Sequence, residues 1–317
     1  MNTEPLILSI GQALVDSIIR GFDPAPVSAT GFRAESGSLF VGGEAVNQVL
    51  ALARLGVKAG ILCHLGKDSA GDLIEGAMRS AGTDLTALIR DDLSPTPVTT
   101  MFVAPDGTRK SITNAAHRYN FRPDRYLERL PHNGAVLIGS LFRAPFDDPG
   151  IIEKVFRASK ERGLMIFADT KLPNFRFLTL DDVSASLPLI DYITPNEDEA
   201  RHFTGKTEPE EMADEFLSRG VRNVIVKLGA KGCYFKNTRF SLRLPAHRIQ
   251  AVDATGAGDN FIAGFASEIL SGRSCEDALR FAGACGAICS TAAGAGTALR
   301  DREQVLEFLQ NTPLRDI

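Results

Sequence analysis

The stretch Asp253-Ala254-Thr255-Gly256-Ala257-Gly258-Asp259 decides how this chain is read. Two glycines and two alanines leave almost no side chain between its polar residues. Behind it, Phe261, Ile262, Phe265, Ile269 and Leu270 recur at helical spacing. Ahead of it, Ile249 and Val252 are expected to end a strand. The stretch therefore reads as a strand, a glycine-rich turn and the first turn of a helix. The first N–H groups of a helix have no internal partner, and the helix dipole places partial positive charge there. Small residues let a phosphate come close to that backbone. Asp259 would repel a phosphate, so it needs a role. Either it is a base that takes a proton from an attacking hydroxyl, or it caps an ordinary tight turn. On the heptapeptide alone both readings stand.

The whole chain narrows the choice. Its 317 residues, 44% hydrophobic and 23% charged, make one large domain with at most a small appendage. A net charge of -4 without a long basic run argues against nucleic acid as the main partner. A helix N-terminus can still hold a phosphorylated metabolite. Five cysteines form no Cys-x-x-Cys pair and are expected as buried free thiols. No leader pattern precedes Leu6 and no apolar run reaches membrane-spanning length, so a cytoplasmic protein without membrane contact is expected.

Residues 5–11 read as a buried strand, followed by Asp16 in an otherwise apolar segment. That carboxylate can bind a polar ligand, or serve as a cap or ion pair. Gly42-Gly43 opens a helix that closes at Gly56, with Asn47 in its first turns. The Asn47 amide can bond a ligand hydroxyl or lie at the surface. Residues 68–81 read as a helix with Leu73, Ile74 and Met78 inward. Alternation in 96–103 and 109–113 around Pro105-Asp106-Gly107 predicts a hairpin. With residues 17–40 it would form a small separate sheet.

From residue 135 the pattern becomes repetitive. Short apolar runs at 135–139, 164–169, 190–194 and 223–227 alternate with helical segments at 150–161 and 208–219, and a final apolar helix is expected over 278–291. Alternating strands and helices predict a parallel sheet covered on both faces, with ligands outside the carboxyl ends of its strands. Asp16, Gly42, Gly43, Asp169, Asn196 and Gly229 all fall near such ends. A P-loop is excluded, because Gly205-Lys206-Thr207 has Ala200 where the first glycine belongs. The five histidines lack metal-ligand spacing.

These motifs together resemble the ribokinase (PfkB) family of carbohydrate kinases, nearly end to end. Asp253 to Asp259 matches the C-terminal signature, and Gly42-Gly43 with Asn47 the N-terminal one. Asn196-Glu197-Asp198-Glu199 matches an Asn-x-x-Glu element, and Lys227 to Gly232 resembles a nucleotide-binding glycine segment. The resemblance implies a ribokinase-like three-layer α/β/α fold with a central, mostly parallel sheet and a small β-sheet lid. The core would comprise 1–16, 41–95 and 114–317, and the lid 17–40 and 96–113. It implies phosphorylation of a hydroxymethyl group on a sugar, using ATP and Mg²⁺. Asp259 would be the catalytic base, with Gly256, Ala257 and Gly258 the anion hole. Asp16, Gly42, Gly43 and Asn47 would contact the sugar. Asn196, Lys227, Gly229, Gly232 and Gly258 would hold nucleotide, and Asn196 and Glu199 would act on Mg²⁺ through water. Asp253 and Thr255 lie where many members bind a monovalent cation such as K⁺. A homodimer through the lid is expected.

The chain departs from ribokinases proper at Glu44-Ala45-Val46 and at Leu141-Phe142-Arg143, so the sugar is not named. Arg143 suits a substrate with an acid or phosphate group, or is a surface arginine. A nucleoside kinase of the same fold and a non-catalytic sugar-binding regulator are the alternatives.

Overall fold

Apolar residues alternate along the strands of a large sheet, and each set faces a different layer of helices. The computed structural model describes residues 6–21, 34–104, 108–114 and 121–315. In chain order the elements are β1 (Leu6–Ile10), β2 (Leu14–Arg20), β3 (Ser36–Gly42), α1 (Glu44–Arg54), β4 (Ala59–Leu62), β5 (His64–Gly66), α2 (Ser69–Ser80), β6 (Ile89–Asp91), β7 (Val98–Val103) and β8 (Arg109–Thr113). There follow β9 (Gly134–Leu141), α3 (Pro149–Glu161), β10 (Met165–Thr170), β11 (Tyr192–Ile193), α4 (Glu197–Thr204), α5 (Pro209–Ser218), β12 (Asn223–Lys227), β13 (Cys233–Asn237) and β14 (Ser241–Leu244). The last three are α6 (Ala257–Leu270), α7 (Cys275–Cys289) and α8 (Arg302–Asn311).

The main sheet runs β14-β13-β12-β11-β10-β9-β1-β4. Ile7, Ala135, Leu137 and Ile225 face α1, α6 and α7, packing with Val46, Val49, Phe265 and Phe281. Leu8, Val136, Ile138 and Val226 face α3 and α5, packing with Val155, Phe156 and Phe216. This is a three-layer α/β/α arrangement. The strands from β4 to β12 are parallel, but β13 and β14 run antiparallel at one edge. The sheet is thus mostly parallel, as expected, and the antiparallel edge arises because a tight turn around Gly232 returns the chain beside β12 without a crossover helix.

A second sheet has the order β3-β2-β7-β8. Its strands come from the two expected segments, but β2 begins at Leu14 and β3 runs to Gly42. Asp16, which follows the first strand, therefore lies on this sheet. The Pro105-Asp106-Gly107 turn and residues 22–33 lie outside the described residues, although β7 and β8 do pair antiparallel.

Other sequence expectations shift in detail. Residues 249–252 form no strand: the Val252 N–H donates to Ser290 O at the end of α7, not to a ladder. The last apolar helix begins at Cys275 instead of Ala278, because the Ser274 hydroxyl caps it by accepting from the Asp277 N–H. Ile74 and Met78 are buried on α2, but Leu73 sits about 100° off that face and is exposed. The small residues of α7 do allow close packing: a side-chain carbon on Gly264 would meet Cys285 Sγ at 2.8 Å. Helix α8 carries no signal read in advance, and Val305 is its one fully buried residue.

Candidate active site

The chain from Asp253 closes a cleft of about 1300 Å³ along the carboxyl ends of the strands. Gly256 caps α6 with a φ of 78°, in the left-handed region that disfavours other residues. A side-chain carbon there would lie 2.7 Å from Ala295 Cβ, so the loop after α7 presses on the turn. The first turn of α6 is left open towards the cleft by Ala257 and Gly258. Lys227 Nζ reaches this spot, 3.1 Å from where a carbon on Gly258 would stand.

Asp259 sits in that first turn and is only 5% exposed. Asn47 Nδ2 donates to its Oδ2 at 2.8 Å. Asp259 Oδ1 and Asn47 Oδ1 make no hydrogen bond among the described residues, although both are buried. Two buried acceptors without donors are costly unless a ligand supplies them. Burial is the main force on Asp259 and pushes its carboxyl up to about 7. The nearby Lys171 ammonium opposes this, the Glu44 carboxylate adds to it, the Asn47 bond opposes it, and the Asp169 carboxylate adds to it. A carboxylate with an affinity for protons near neutrality can act as a base at physiological pH.

The other end of the cleft is built from β10, β12 and α4. Asn196 and Glu199 form a capping box: Glu199 N donates to Asn196 Oδ1 at 2.9 Å, and Asn196 N to Glu199 Oε2 at 3.0 Å. Thr170 Oγ1 donates to the same Glu199 oxygen at 2.8 Å. Burial raises the Glu199 carboxyl against the lowering influence of Lys227. Lys227 pairs with the buried Asp169 at 2.5 Å, and Thr194 Oγ1 also donates to Asp169 at 2.8 Å. Gly229 and Gly232 line the wall beyond.

The sugar-side expectations also gather here. Gln12, Asp16, Gly43, Glu44, Asn47 and Arg143 line the cleft around Asp259. Gly42 makes room for Asp16, whose Oδ2 would be 2.5 Å from a carbon on Gly42. Gly43 has a φ of 94°, and a side chain there would collide with the Gln12 carbonyl. Phe142 is buried with a φ of 74°, a strained backbone that delivers Arg143 to the cleft. Arg143 is half-buried there, and its Nε and Nη2 donate to Leu172 O at 3.1 and 2.8 Å. Asp253 accepts from Thr255 N at 3.0 Å, Thr255 Oγ1 at 2.7 Å and Gly294 N at 3.2 Å, which binds the turn to the loop after α7.

The structure thus brings Asp16, Gly43, Asn47, Asn196, Glu199, Lys227 and Asp259 to one cleft. Glu44 and Lys171 belong to it too and were not read from the sequence. A single charged residue after a strand or at a helix start has no periodic signature. The one available clue was their position beside residues already singled out.

Comparisons with known proteins agree with this fold. The family model described as pfkB family carbohydrate kinase matches residues 5–302. A ribokinase of Haemophilus influenzae is 30% identical over 275 residues, covering 85% of this chain and 87% of the relative. A 2-dehydro-3-deoxygluconokinase of Bacillus subtilis is 30% identical over 281 residues, covering 83% and 84%. The structure of Arabidopsis thaliana ribokinase complexed with ribose and ATP superposes with a TM-score of 0.83 at 26% identity, covering 97% of this chain and 99% of that one.

Proposed function

This chain belongs to the pfkB family of carbohydrate kinases, and from that premise we infer that it transfers the γ-phosphoryl group of ATP to a hydroxymethyl group of a sugar or sugar derivative. The observation that carries this is Asp259: a buried carboxylate at a helix N-terminus, one oxygen held by Asn47 and the other without a donor among the described residues. The acceptor hydroxyl donates to Oδ1, and Asp259 takes its proton as the oxygen attacks phosphorus. The N–H groups at Gly256 to Gly258 receive the charge that builds on the phosphoryl oxygens. Asp16, Gly42, Gly43 and Asn47 hold the sugar. The segment from Lys227 to Gly232, with Asn196, holds the nucleotide.

Mg²⁺ suits the donors present. No group of three or more His, Cys, Asp or Glu side chains among the described residues forms a cage for a metal. Mg²⁺ does not need one, because it keeps waters and takes one or two carboxylates beside the substrate phosphates. Glu199 and Asn196 would hold it through water, and when bound it neutralises phosphate charge. A monovalent cation would sit against Asp253 and Thr255, where the turn meets the loop at Gly294.

The same reading includes a homodimer through the small sheet. Leu39, Ser17, Thr100 and Ile112 form one row across β3-β2-β7-β8. Asp16 and Met101, which line the cleft, belong to the opposite face. The outward row exposes Leu39 at 63% and Ile112 at 70%. A face that exposes Leu39 and Ile112, on a sheet that ends at β3 and β8 among the described residues, is suited to pairing with a second copy. No helix among the described residues is long and apolar enough to cross a membrane. With ATP as substrate and five free cysteines, the cytoplasm is the compartment this reading implies.

The experiment is a panel of sugars, sugar acids, sugar phosphates and nucleosides with ATP and Mg²⁺, read as ADP release. Acceptor-dependent release with a sugar or sugar acid supports the reading. Release with nucleosides alone would replace it by the nucleoside alternative, and no release with any acceptor would remove it.

A further inference from the structure

Lys171 opens the loop after β10, and its N–H donates to Leu141 O at 2.9 Å, which fixes it beside the end of β9. Its half-buried side chain lines the cleft between the two halves of the site. Four carboxylates act on it, in decreasing order Asp259, Glu44, Asp169 and Glu199. Burial lowers its affinity for a proton, and these charges outweigh burial and raise it, so it stays an ammonium.

None of the four makes an ion pair with it among the described residues. Asp169 is paired with Lys227, Glu199 is bonded to Thr170 and Asn196, and Asp259 is held by Asn47. Near Asp259 the other cations are engaged, Lys227 by Asp169 and Arg143 by the Leu172 carbonyl. Among the described residues the three donors of the Lys171 ammonium have no partner. A cation that lines one cleft with Asp259, Glu44 and Glu199, yet makes an ion pair with none of them among the described residues, is placed for an anion that arrives among them. Without it, those charges would repel the phosphoryl group.

Resting on the kinase reading, we propose that Lys171 is a catalytic residue whose ammonium contacts the transferring phosphoryl group between Asp259 and Glu199. In the step, the acceptor oxygen forms a bond to the γ-phosphorus. The bond from that phosphorus to the β,γ-bridging oxygen breaks, its electron pair leaves with ADP, and the hydroxyl proton goes to Asp259. Lys171 keeps its proton throughout and donates to an oxygen of the phosphoryl group. Its contribution is electrostatic and greatest where charge is most spread.

The test compares Lys171→Met, Lys171→Gln and Lys171→Arg with wild type, using a sugar that the wild type phosphorylates. Lys171→Met and Lys171→Gln are expected to lower kcat by about 10²–10³-fold, with the affinity for ATP changed by less than roughly threefold. Lys171→Arg, which keeps the charge, is expected to recover part of the loss. The acid limb of the kcat profile should also move to higher pH in the Met and Gln variants. Asp259 then loses its cation while still facing Glu44 and Asp169, a shift that a purely structural lysine would not cause. Thermal melting shows whether each variant is folded, and Lys171→Gln serves if Lys171→Met is not. A kcat near wild type, or a loss confined to the sugar KM, would overturn the proposal. So would an acid limb that does not move. An inactive wild type would overturn the kinase reading and this step with it, whereas an active wild type beside near-normal variants would overturn the step alone.

Discussion

Asn47 and Asp259 are separated by 212 positions in the chain and joined by a 2.8 Å hydrogen bond from Nδ2 to Oδ2. The bond ties the first turns of α1 to the first turn of α6. It also orients the free oxygen of Asp259 into the cleft. We predict that Asn47→Leu lowers kcat by about 10–100-fold, the span expected for a lost hydrogen bond to a charged group. The Asn47 bond favours the ionised carboxylate, so its loss should move the acid limb to higher pH. A rate profile from pH 5 to 9 measures both, and an unmoved limb would show that the bond does not govern Asp259.

Asp259→Asn should remove most turnover, about 10²–10⁴-fold, because an amide cannot accept the proton. It should also stabilise the protein in alkaline solution. A carboxyl raised to about 7 keeps its proton when folded and loses it near the ordinary value when unfolded. The unfolded state therefore binds fewer protons between those values, and stability falls as pH rises through that window. Above pH 7 the ionised Asp259 costs on the order of 4 kcal/mol. Melting curves should show the variant gaining on wild type at pH 8 and matching it near pH 4. A variant less stable than wild type at pH 8 would contradict the assignment.

Glu199→Gln is expected to raise the Mg²⁺ concentration needed for half-maximal rate by about tenfold or more, with little change in sugar KM. Loss of one charged partner of the metal-bound water is the cause, and Glu199 is bonded to Thr170 and Asn196 at the start of α4. Titration of Mg²⁺ at fixed sugar separates the two parameters. A shifted sugar KM with unchanged Mg²⁺ dependence would place Glu199 elsewhere.

The row Leu39–Ser17–Thr100–Ile112 sets the assembly prediction. Wild type should scatter light as a dimer of the 34.1 kDa chain, and Leu39→Glu with Ile112→Glu should scatter as a monomer. Each substitution puts a charge where the outward face would be buried. A wild-type monomer with full activity would remove the dimer from this account.

Much of this site could be read from the sequence, and the reasons differ by residue. Asp253 to Asp259 announces itself because two glycines and two alanines within seven residues before an apolar helix have few other uses. The strand Asn223–Lys227 was legible because Val224, Ile225 and Val226 are buried on both faces of the sheet. The strand expected before Asp253 was wrong: Ile249 and Val252 are apolar, but Val252 is 62% exposed and bonds the end of α7. Hydrophobicity without a ladder partner does not make a strand. Strands β13 and β14 escaped notice because each is short and only partly apolar. Lys171 was invisible because its meaning comes from four carboxylates drawn from three helices and a strand, a convergence that only the fold creates.

The central claim is that Asp259 deprotonates a sugar hydroxyl during phosphoryl transfer from ATP. Its most direct test is acceptor-dependent ADP release by wild type and Asp259→Asn, measured side by side as a function of pH. We predict a wild-type rate that rises with pH through about 7, and a variant lower by about 10²–10⁴-fold that still binds ATP. A variant with near wild-type kcat, or a wild-type rate already level from pH 5 upward, would contradict the account.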